Sequence, residues 1–387
     1  MTALPIPSAQ LQAHSQQLRD LIAQKIVAAG GWISFADFMH MALYTPRLGY
    51  YSGGTQKFGD SLIKGGGDFV TAPEISPLFA KTIARQAAQI LAITQGSILE
   101  LGAGTGKLAA DLLLELAELN CLPKNYFILE VSDHLRQVQR ENLQKLPLYL
   151  FKCVVWLEKL PENFVGLILA NEVLDALPVH LVVKNKGELF ERGVAFDNDF
   201  VWQDKPLISG ELFKLSSALN LPNDYLTEVC PAAAALTKSL CQSLHKGTIL
   251  LIDYGFSAYE YYHPQRSEGT LMCHYQHYAH GNPLINIGLQ DITAHVNFTQ
   301  IALACKADGI SLAGYVNQAQ FLINCGILDI LAQVSPSNIV RYLPLSTAVQ
   351  KLLSPAEMGE LFKVIAFSKN YDLPLIGFAR GDKRHTL

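Results

Sequence analysis

The sequence predicts an α/β protein built on a mainly parallel sheet that helices cover on both faces. Between about residues 97 and 256, short apolar runs typical of buried strands alternate with longer stretches of helical periodicity. Half of the 387 residues are hydrophobic and 17% are charged, so the chain can bury a large core and wholesale disorder is excluded. This length allows either one elaborated α/β domain or two smaller domains.

Residues 1–95 are predicted to form a helical region that precedes the alternating part. Apolar residues at helical spacing run through 10–29, and two glycines end this pattern. A second helix is predicted after Ser34, which serves as its N-cap, and a third begins at the cap Ser76. The glycine-rich stretch between these two helices fits neither period, and its aromatic residues favour an ordered, functional loop.

The rest of the chain is predicted to form a main domain over residues 96–387. Its predicted helices are "KLAADLLLELAEL", "DHLRQVQRENLQKL" and "VNFTQIALACKADG". Its predicted strands are "SILELGAG", "NYFILEVS", "FVGLILAN", "GTILLIDYG", "ISLAGYVNQ", "LFKVIAFSKN" and "LPLIGFAR". Insertions are expected at about 180–228, which begins with a predicted β-hairpin, at about 256–290, and as helices at about 320–358.

Composition excludes several classes of function. The formal net charge is −4 and no long basic tract is present, which argues against nucleic acid as a partner. No apolar run approaches the roughly 18 residues that span a bilayer, so membrane insertion is not expected. Seven scattered cysteines without a CxxC pair predict unpaired thiols in a reducing compartment. Because the N-terminus shows no leader segment, we expect a cytoplasmic protein.

A glycine-rich turn, "ELGAGTG", connects the first strand of the alternating part to the next helix. Its glycines are Gly102, Gly104 and Gly106. Glycines let a ligand approach the backbone closely, and open α/β sheets bind ligands at the carboxyl ends of their strands. The spacing lacks the x-x step of the dinucleotide fingerprint G-x-G-x-x-G, which disfavours a nucleotide-linked oxidoreductase.

Glu130 ends the second predicted strand, where its carboxylate can accept hydrogen bonds from a ribose hydroxyl pair. It lies 28 positions after Gly102, farther than the roughly 20 residues of the dinucleotide fingerprint. The loop and the acid therefore favour a nucleoside site over a pyrophosphate site. The alternative is a bare turn with a surface glutamate.

This combination resembles the class I S-adenosylmethionine-dependent methyltransferases, which carry acidic residues and a glycine loop after their first two strands. The resemblance implies a Rossmann-like seven-stranded sheet, with "ISLAGYVNQ" and "LFKVIAFSKN" as its sixth and seventh strands. It also implies S-adenosylmethionine as the cofactor. The donor-binding residues that it implies are Glu100, Gly102, Ala103, Gly104, Thr105, Gly106, Glu130, Val131, Ser132 and Asn171.

Seven segments extend the resemblance from about residue 30 to 380. They are "GDFVTAPEISPLFAKTIARQ", "ILELGAGTGKLA", "ILEVSDHLRQVQ", "ANEVLDALPVHLV", "LTEVCPAA", "LLIDYG" and "DITAHVNFTQIA". In this order they are similar to successive motifs of the MidA-like methyltransferase family, whose mitochondrial members are complex I assembly factors that symmetrically dimethylate an arginine of a partner subunit. The resemblance implies a protein-arginine methyltransferase, with Thr71, Pro73 and Glu74 in a lid over the donor. The missing presequence favours a bacterial member.

Three polar residues follow an apolar run: Asn171, Glu172 and Asp175. Carboxylates are costly in a core, but at the carboxyl end of a strand they can bind an acceptor. A guanidinium stays charged because its pKa exceeds about 12, and a carboxylate can grip its planar fork through two hydrogen bonds. We therefore predict Glu172 as the acceptor-binding residue, supported by Asp175 and Asn171, with Glu228 as a weaker third acid. The alternative is a helix N-terminus carrying acids, with Asn171 as its N-cap.

Three histidines, His274, His277 and His280, lie beside Cys273 with a spacing that invites a zinc interpretation. On a helix, successive positions of this spacing drift by about 60°, so a shared ligand face is not enforced. Methyl transfer needs no metal, and we predict no metal site.

The predicted function is therefore S-adenosylmethionine-dependent methylation of an arginine side chain on a protein substrate. The alternative, from another class, is a catalytically weak assembly or binding factor that keeps the methyltransferase fold. A homodimer is compatible with the sequence.

Overall fold

The computed structural model describes residues 4–53, 71–306 and 309–387. In chain order, the α-helices are α1 (Ala9–Ala28), α2 (Phe35–Tyr44), α3 (Ala72–Ile75), α4 (Pro77–Thr94), α5 (Lys107–Glu118), α6 (Asp133–Leu143), α7 (Leu148–Phe151), α8 (Gly210–Ser217), α9 (Pro231–Ser243), α10 (Ala258–Tyr261), α11 (Phe298–Ala304), α12 (Gln318–Asn324), α13 (Ile327–Ala332) and α14 (Ile339–Leu353). The strands are β1 (Trp32–Ser34), β2 (Ser97–Leu101), β3 (Tyr126–Leu129), β4 (Val154–Leu157), β5 (Phe164–Asn171), β6 (His180–Asn185), β7 (Glu188–Asp197), β8 (Asp199–Pro206), β9 (Tyr225–Val229), β10 (Leu244–Phe256), β11 (Met272–Tyr275), β12 (Tyr278–His280), β13 (Asp291–Thr293), β14 (Val296–Asn297), β15 (Ile310–Asn317) and β16 (Phe362–Lys369).

The chain divides into two compact units, each assembled from three separate segments. The larger unit consists of Val70–Val173, Ala235–Ala258 and Val296–Leu387. The smaller unit consists of Met1–Phe69, Leu174–Ala234 and Tyr259–His295. The observed division differs from the predicted boundary at residue 95, because α4 packs into the same hydrophobic core as the sheet of the larger unit.

The larger unit contains a sheet with the strand order β15-β16-β10-β5-β2-β3-β4, and β14 pairs with β10. From β10 to β4 the neighbouring strands are parallel, whereas β16 is antiparallel to both β10 and β15. All five residues of β2 and seven of the eight in β16 are buried, so both faces of the sheet are covered. This order confirms the predicted Rossmann-like seven-stranded sheet. Helices α12, α13 and α14 lie between β15 and β16 along the chain.

The strands of the larger unit differ from the prediction at two places. Strand β4 is not predicted from the sequence, because only four residues pair. The strand predicted in "LPLIGFAR" is wrong, since Ile376–Phe378 forms a 3₁₀ turn. There Phe378 packs against Phe321, with ring centroids 5.5 Å apart, and Gly377 N donates to Gln86 Oε1 at 2.9 Å. These contacts with helices replace the ladder hydrogen bonds that a strand requires.

The predicted helix signals are confirmed. Ser34 Oγ and Ser76 Oγ accept hydrogen bonds from backbone N–H groups in the first turns of α2 and α4, at 3.1 and 3.2 Å. After α1, Gly30 and Gly31 have φ values of 80° and 93°, a left-handed conformation that ends the helix. None of the described helices combines the length and the apolar character required to cross a membrane.

The smaller unit contains an antiparallel sheet with the order β1-β7-β6-β9, and β8 also pairs with β7. Strands β6, β7 and β8 form a meander, so the predicted hairpin is confirmed and extended by a third strand. Helices α1 and α2 contribute Leu18, Ile22 and Phe38 to a buried core shared with Leu181 and Val194 of this sheet. A second sheet in this unit has the order β12-β11-β13.

A disulfide joins Cys241 of α9 to Cys305, directly after α11. The prediction of unpaired thiols is therefore wrong for this pair. The two cysteines are 64 residues apart in the sequence, and only the folded chain brings their Cα atoms to 6.3 Å. The free thiols belong to Cys121, Cys153, Cys230, Cys273 and Cys325.

Candidate active site

The candidate site lies within the larger unit, at the edge where β3, β2, β5 and β10 reach their carboxyl ends. The register aligns Leu129, Leu101 and Ala170 in one row. It pairs Asn171 with Ile252. Ligands of open α/β sheets bind at such an edge. The residues that come next along it are Glu130, Gly102, Glu172 and Asp253.

The loop after β2 turns through three glycines in the left-handed region. Gly102, Gly104 and Gly106 have φ values of 59°, 54° and 81°, at which a residue with a Cβ is strained. Gly102 N donates to Leu129 O at 3.0 Å, and Gly106 N donates to Ala103 O at 2.8 Å. A Cβ on Gly104 would meet no described atom within 4 Å. The predicted loop therefore leaves open space beside its backbone.

Two amide side chains of α6 hold this loop. Gln139 Nε2 donates to Gly104 O at 3.0 Å and to Glu130 Oε2 at 3.1 Å. Asn142 Nδ2 donates to Thr105 O at 3.0 Å. Neither amide is among the residues predicted from the sequence.

Gln139 is a buried polar residue in an otherwise apolar stripe. It is 0% exposed, and Leu135 and Leu143, one turn before and one turn after it on α6, are buried as well. Trp156 Nε1 donates to Gln139 Oε1 at 2.9 Å, so both ends of the amide are hydrogen-bonded. A glutamine at an apolar position of an amphipathic helix is the signal from which this residue can be found in a sequence.

Glu130, the predicted ribose-binding acid, is 5% exposed and held by hydrogen bonds. Its Oε1 accepts from Ser132 N at 2.9 Å, and its Oε2 accepts from Gln139. Burial raises the pKa of Glu130, and these hydrogen bonds partly oppose the rise. Ser132 also caps α6, since its Oγ accepts from Leu135 N at 3.2 Å, whereas the Val131 side chain is 79% exposed.

Glu100 lies one residue before the end of β2 and is 2% exposed. Tyr126 OH donates to Glu100 Oε2 at 2.8 Å. Burial raises the pKa of Glu100 to about 7, while the hydrogen bond from Tyr126 lowers it and the nearby Glu130 raises it. The buried carboxyl groups of Glu100 and Glu130 therefore lie close together at this edge, and the pKa of Glu100 lies near neutral pH.

The segment before α4 reaches the glycine loop. Thr105 Oγ1 donates to Glu74 Oε1 at 2.6 Å. Glu74 belongs to the short α3, in which Pro73 is buried and Thr71 occupies the N-cap position without a side-chain cap bond. Of the three predicted lid residues, Glu74 therefore has a side-chain hydrogen bond to the loop. Asp68, an acid of the same sequence segment, lies outside the described residues.

Glu172 adopts a left-handed backbone conformation directly after β5. Its φ is 52°, which is uncommon for a residue with a Cβ. Glu172 N donates to Ile252 O at 2.9 Å, and Asn171 Nδ2 donates to Glu172 Oε1 at 3.1 Å. Residues 172–177 do not form a helix, so the alternative of a helix N-terminus with Asn171 as its N-cap is wrong. Backbone outliers of this kind cluster at functional sites.

The residues on either side of Glu172 connect it to the rest of the edge. Val173 N donates to Asp253 Oδ2 at 3.2 Å, and a Cβ on Gly102 would lie 3.0 Å from Val173 Cγ2. The buried Oδ1 of Asn171 has no hydrogen-bond partner among the described residues. A buried oxygen without a donor is costly, so it marks a position where a ligand can donate. Asp253 is 1% exposed and was not predicted, although an acid within an apolar run is a recognisable signal.

Asp175 belongs to the smaller unit and is 4% exposed. Its carbonyl oxygen accepts a hydrogen bond from Ala294 N at 3.0 Å. Tyr51 OH donates to Asp291 Oδ1 at 2.9 Å in the same unit. Burial, followed by Asp291, Tyr44 and Asp175, raises the pKa of Tyr51 well above its ordinary value. Asp175 therefore lies in a buried group of carboxyl and phenol side chains, and its acceptor role stays a prediction.

Glu228, the third candidate acid, is engaged within the smaller unit. Its carboxylate accepts hydrogen bonds from Thr270 N, Thr270 Oγ1, Leu271 N and Tyr261 OH at 2.8–3.1 Å. Burial raises the pKa of Glu228, and these bonds oppose the rise. The four bonds account for a buried carboxylate without a ligand.

The three histidines of the smaller unit do not lie on a helix. His274 is in β11, His280 is in β12, and His277 lies with Gln276 in the turn between these strands, both with positive φ. Burial lowers the pKa of His274, and the nearby His280 lowers it further. Within residues 4–53, 71–306 and 309–387, no group of three or more His, Cys, Asp and Glu side chains could hold a metal ion.

A ligand at the edge of the larger unit would meet the glycine loop and three buried carboxyl groups, those of Glu100, Glu130 and Asp253. It would also meet the Asn171 amide oxygen, which accepts no hydrogen bond from the described residues. Carboxylates accept hydrogen bonds from ribose hydroxyls, and the Asn171 Oδ1 can accept one from an ammonium group. S-adenosylmethionine carries both kinds of donor, so the residues present fit it.

Comparison with protein families identifies one whose profile matches residues 82–316 and which is described as "S-adenosyl-L-methionine-dependent methyltransferase". A crystal structure of a protein from Burkholderia thailandensis bound to S-adenosyl-homocysteine is 49% identical and covers 100% of both chains, with a TM-score of 0.95. A native crystal structure from the same organism is 48% identical, again over 100% of both chains, with a TM-score of 0.93.

More distant relatives have curated names. The "Protein arginine methyltransferase NDUFAF7, mitochondrial" of Danio rerio is 29% identical over 378 residues, which cover 88% of this chain and 84% of the relative. The Homo sapiens protein of the same name is 29% identical over 381 residues, which cover 88% of this chain and 81% of the relative.

Proposed function

The chain belongs to a family of S-adenosyl-L-methionine-dependent methyltransferases, and we propose that it methylates an arginine side chain of a protein substrate. The proposal rests on the position of Glu172 directly after β5. This residue has a left-handed backbone φ of 52°, and the side chain of its neighbour Val173 lies against the glycine loop. The relatives of Danio rerio and Homo sapiens that are named protein arginine methyltransferases support the same acceptor.

The donor is proposed to bind at the edge of the larger unit. When bound, S-adenosylmethionine would supply a methyl group on a positively charged sulfur. An arginine nitrogen would take the methyl group in line as the carbon–sulfur bond breaks, which leaves S-adenosylhomocysteine, and the nitrogen would lose one proton to solvent. Glu130 accepts hydrogen bonds from the ribose hydroxyls, and Asn171 Oδ1 accepts one from the amino group. The remaining residues proposed to contact the donor are Thr71, Pro73, Glu74, Glu100, Gly102, Ala103, Gly104, Thr105, Gly106, Val131 and Ser132.

Glu172 is proposed to bind the acceptor. Because the guanidinium keeps its proton at neutral pH, it presents a planar cationic fork. A carboxylate accepts two parallel hydrogen bonds from this fork and orients one nitrogen for attack. Asn171 holds the carboxylate through its hydrogen bond to Glu172 Oε1 at 3.1 Å. Asp175 is retained as a second acceptor-binding candidate from the sequence alone.

Transfer of a labelled methyl group into heat-treated cell lysate tests the proposal. Heating inactivates the methyltransferases of the lysate, so that label in protein reports the added enzyme. Acid hydrolysis of the labelled protein should yield methylated arginine. Glu172→Ala should lower the rate by about 100-fold, as expected when a pre-organised charged partner is removed from an active site. Glu162→Ala is a matched control, because Glu162 is an exposed acid before the opposite end of β5.

The outcomes separate the two functions predicted from the sequence. Label on residues other than arginine would contradict the proposed acceptor. Binding of S-adenosylhomocysteine in calorimetry without any transfer would favour a catalytically weak assembly or binding factor. Equal rates for Glu172→Ala and Glu162→Ala would contradict the role of Glu172.

A bacterial origin, a cytoplasmic location and a homodimer are also proposed from the sequence. The relatives of known structure from Burkholderia thailandensis support the bacterial origin. The disulfide between Cys241 and Cys305 argues against a reducing compartment. Thiol alkylation during cell lysis under denaturing conditions tests the location. Modification of all seven cysteines would agree with the cytoplasm, whereas modification of only the five free cysteines would contradict it. Light scattering measures the oligomeric state.

A further inference from the structure

Helix α6 contacts the glycine loop through two amide side chains on one face. Gln139 and Asn142 are three residues apart, so they lie side by side on the helix. Through them, Gly104 O and Thr105 O each accept an amide hydrogen at 3.0 Å. The loop therefore turns two successive carbonyl groups toward α6.

The direction of these carbonyl groups determines where the loop N–H groups point. In a trans peptide unit, the C=O of one residue and the N–H of the next point in opposite directions. Because Gly104 C=O points toward α6, Thr105 N–H points away from it. The N–H of Gly106 closes the turn by donating to Ala103 O at 2.8 Å. The side-chain amides of Gln139 and Asn142 thus leave Thr105 N–H directed away from α6. There it can donate a hydrogen bond to a carboxylate or hydroxyl oxygen of a ligand.

Trp156 fixes the orientation of the Gln139 amide. An indole N–H can only donate, and it lies 2.9 Å from Gln139 Oε1. The amide nitrogen must therefore face Gly104 O and Glu130 Oε2, at 3.0 and 3.1 Å. The reversed amide would place an oxygen against a carbonyl and a carboxylate. One side chain thus ties the glycine loop to the predicted ribose-binding acid.

We propose that Gln139 is a positioning residue for the methyl donor. Its amide holds the glycine loop and Glu130 in a fixed position relative to each other. This inference rests on the proposed donor role of residues 102–106 and Glu130. Both hydrogens of the Gln139 amide are in use, so its loss releases the loop and the acid together. Since Gln139 occupies a position of the apolar stripe where leucine would satisfy the packing, burial alone does not explain a glutamine there.

Calorimetric titration with S-adenosylhomocysteine tests the role. We expect Gln139→Leu to bind about 10- to 100-fold more weakly, as expected for loss of a hydrogen bond to a charged group. Gln137→Leu is the matched control, because Gln137 lies on the exposed face of α6 and, among the described residues, donates a side-chain hydrogen bond to Glu141, one turn away on the same helix. This control should bind within about twofold of the wild type. In a transfer assay, the donor KM of Gln139→Leu should change more than kcat.

The variant Gln139→Glu adds a readout that a purely structural role would not move. The introduced carboxyl group can donate to Glu130 Oε2 only when it is protonated. Donor affinity of this variant should therefore rise as the pH falls from about 8 to about 6, relative to the wild type. Gln139→Leu should show no such relative rise.

The results distinguish the inference from the proposal on which it rests. If the wild type does not bind S-adenosylhomocysteine, the proposed donor site fails. If the wild type binds and Gln139→Leu matches it within about twofold, the positioning role of Gln139 is wrong while the donor site stands. The same conclusion follows if Gln139→Glu has the pH dependence of the wild type.

Discussion

Replacing Glu100 by glutamine is expected to stabilise the protein at alkaline pH and to weaken donor binding. Glu100 is 2% exposed, and burial raises its pKa from 4.5 to about 7. Between pH 4.5 and about pH 7, Glu100 keeps its proton in the folded state but has released it in the unfolded state. The free energy of unfolding therefore falls as the pH rises through this window, and the full cost of the ionised carboxylate applies above it.

The size of the effect follows from the pKa change. One pKa unit corresponds to about 1.4 kcal/mol, so the rise to about 7 corresponds to about 3 kcal/mol of lost stability at alkaline pH. Glu100→Gln removes this cost, because glutamine has nearly the same shape and its amide oxygen can still accept from Tyr126 OH. At roughly 2–4 °C per kcal/mol, the variant should melt up to about 6–12 °C higher near pH 8, with a small difference near pH 5.

Scanning calorimetry from about pH 5 to pH 9 measures this difference. Glu118→Gln, at an exposed position of α5, should melt like the wild type at every pH. S-adenosylhomocysteine should raise the melting temperature of the wild type more than that of Glu100→Gln. A melting difference between Glu100→Gln and the wild type that does not change with pH would refute the link between the ionisation of Glu100 and stability.

Three further substitutions test other features. Gly104→Val puts a β-branched residue at a φ of 54°, so it should cost about 1–2 kcal/mol of stability and abolish S-adenosylhomocysteine binding in calorimetry; retained binding would contradict the role of the loop. Glu172→Gly relieves a φ of 52° and should stop methyl transfer without lowering the urea midpoint, whereas loss of both would indicate a structural role. Joint replacement of Cys241 and Cys305 by serine should lower the free energy of unfolding by about 2–4 kcal/mol in urea titrations of oxidised protein; an unchanged value would mean that the disulfide does not contribute.

The glycine loop and Glu130 could be predicted from the sequence because their determinants are local. Gly102, Gly104 and Gly106 lie between a clear strand and a clear helix, and all three have the left-handed φ that only glycine adopts freely. Apolar runs likewise predicted the buried parallel strands, since both faces of this sheet are covered.

Other parts of the site depend on partners that lie far away in the sequence. Gln139 is oriented by Trp156, 17 residues later, and Asp253 accepts from Val173, 80 residues earlier. No local sequence pattern predicts the positive φ of Glu172, because a non-glycine residue adopts a positive φ only where the surrounding structure imposes this conformation. The three segments of the smaller unit and the two cysteines of the disulfide also lie far apart in the sequence, so no local pattern predicts that they come together.

The position of β16 has a consequence for how the protein is made. β16 is the last strand along the described chain, yet it pairs with β10 on one side and β15 on the other. Before residues 362–369 emerge from the ribosome, β10 and β15 each carry an unpaired backbone edge, which is prone to associate with other chains. Shortened chains that lack these residues are therefore expected to aggregate. The pairing of Asp253 in β10 with Lys363 in β16 can form only after this strand has been made.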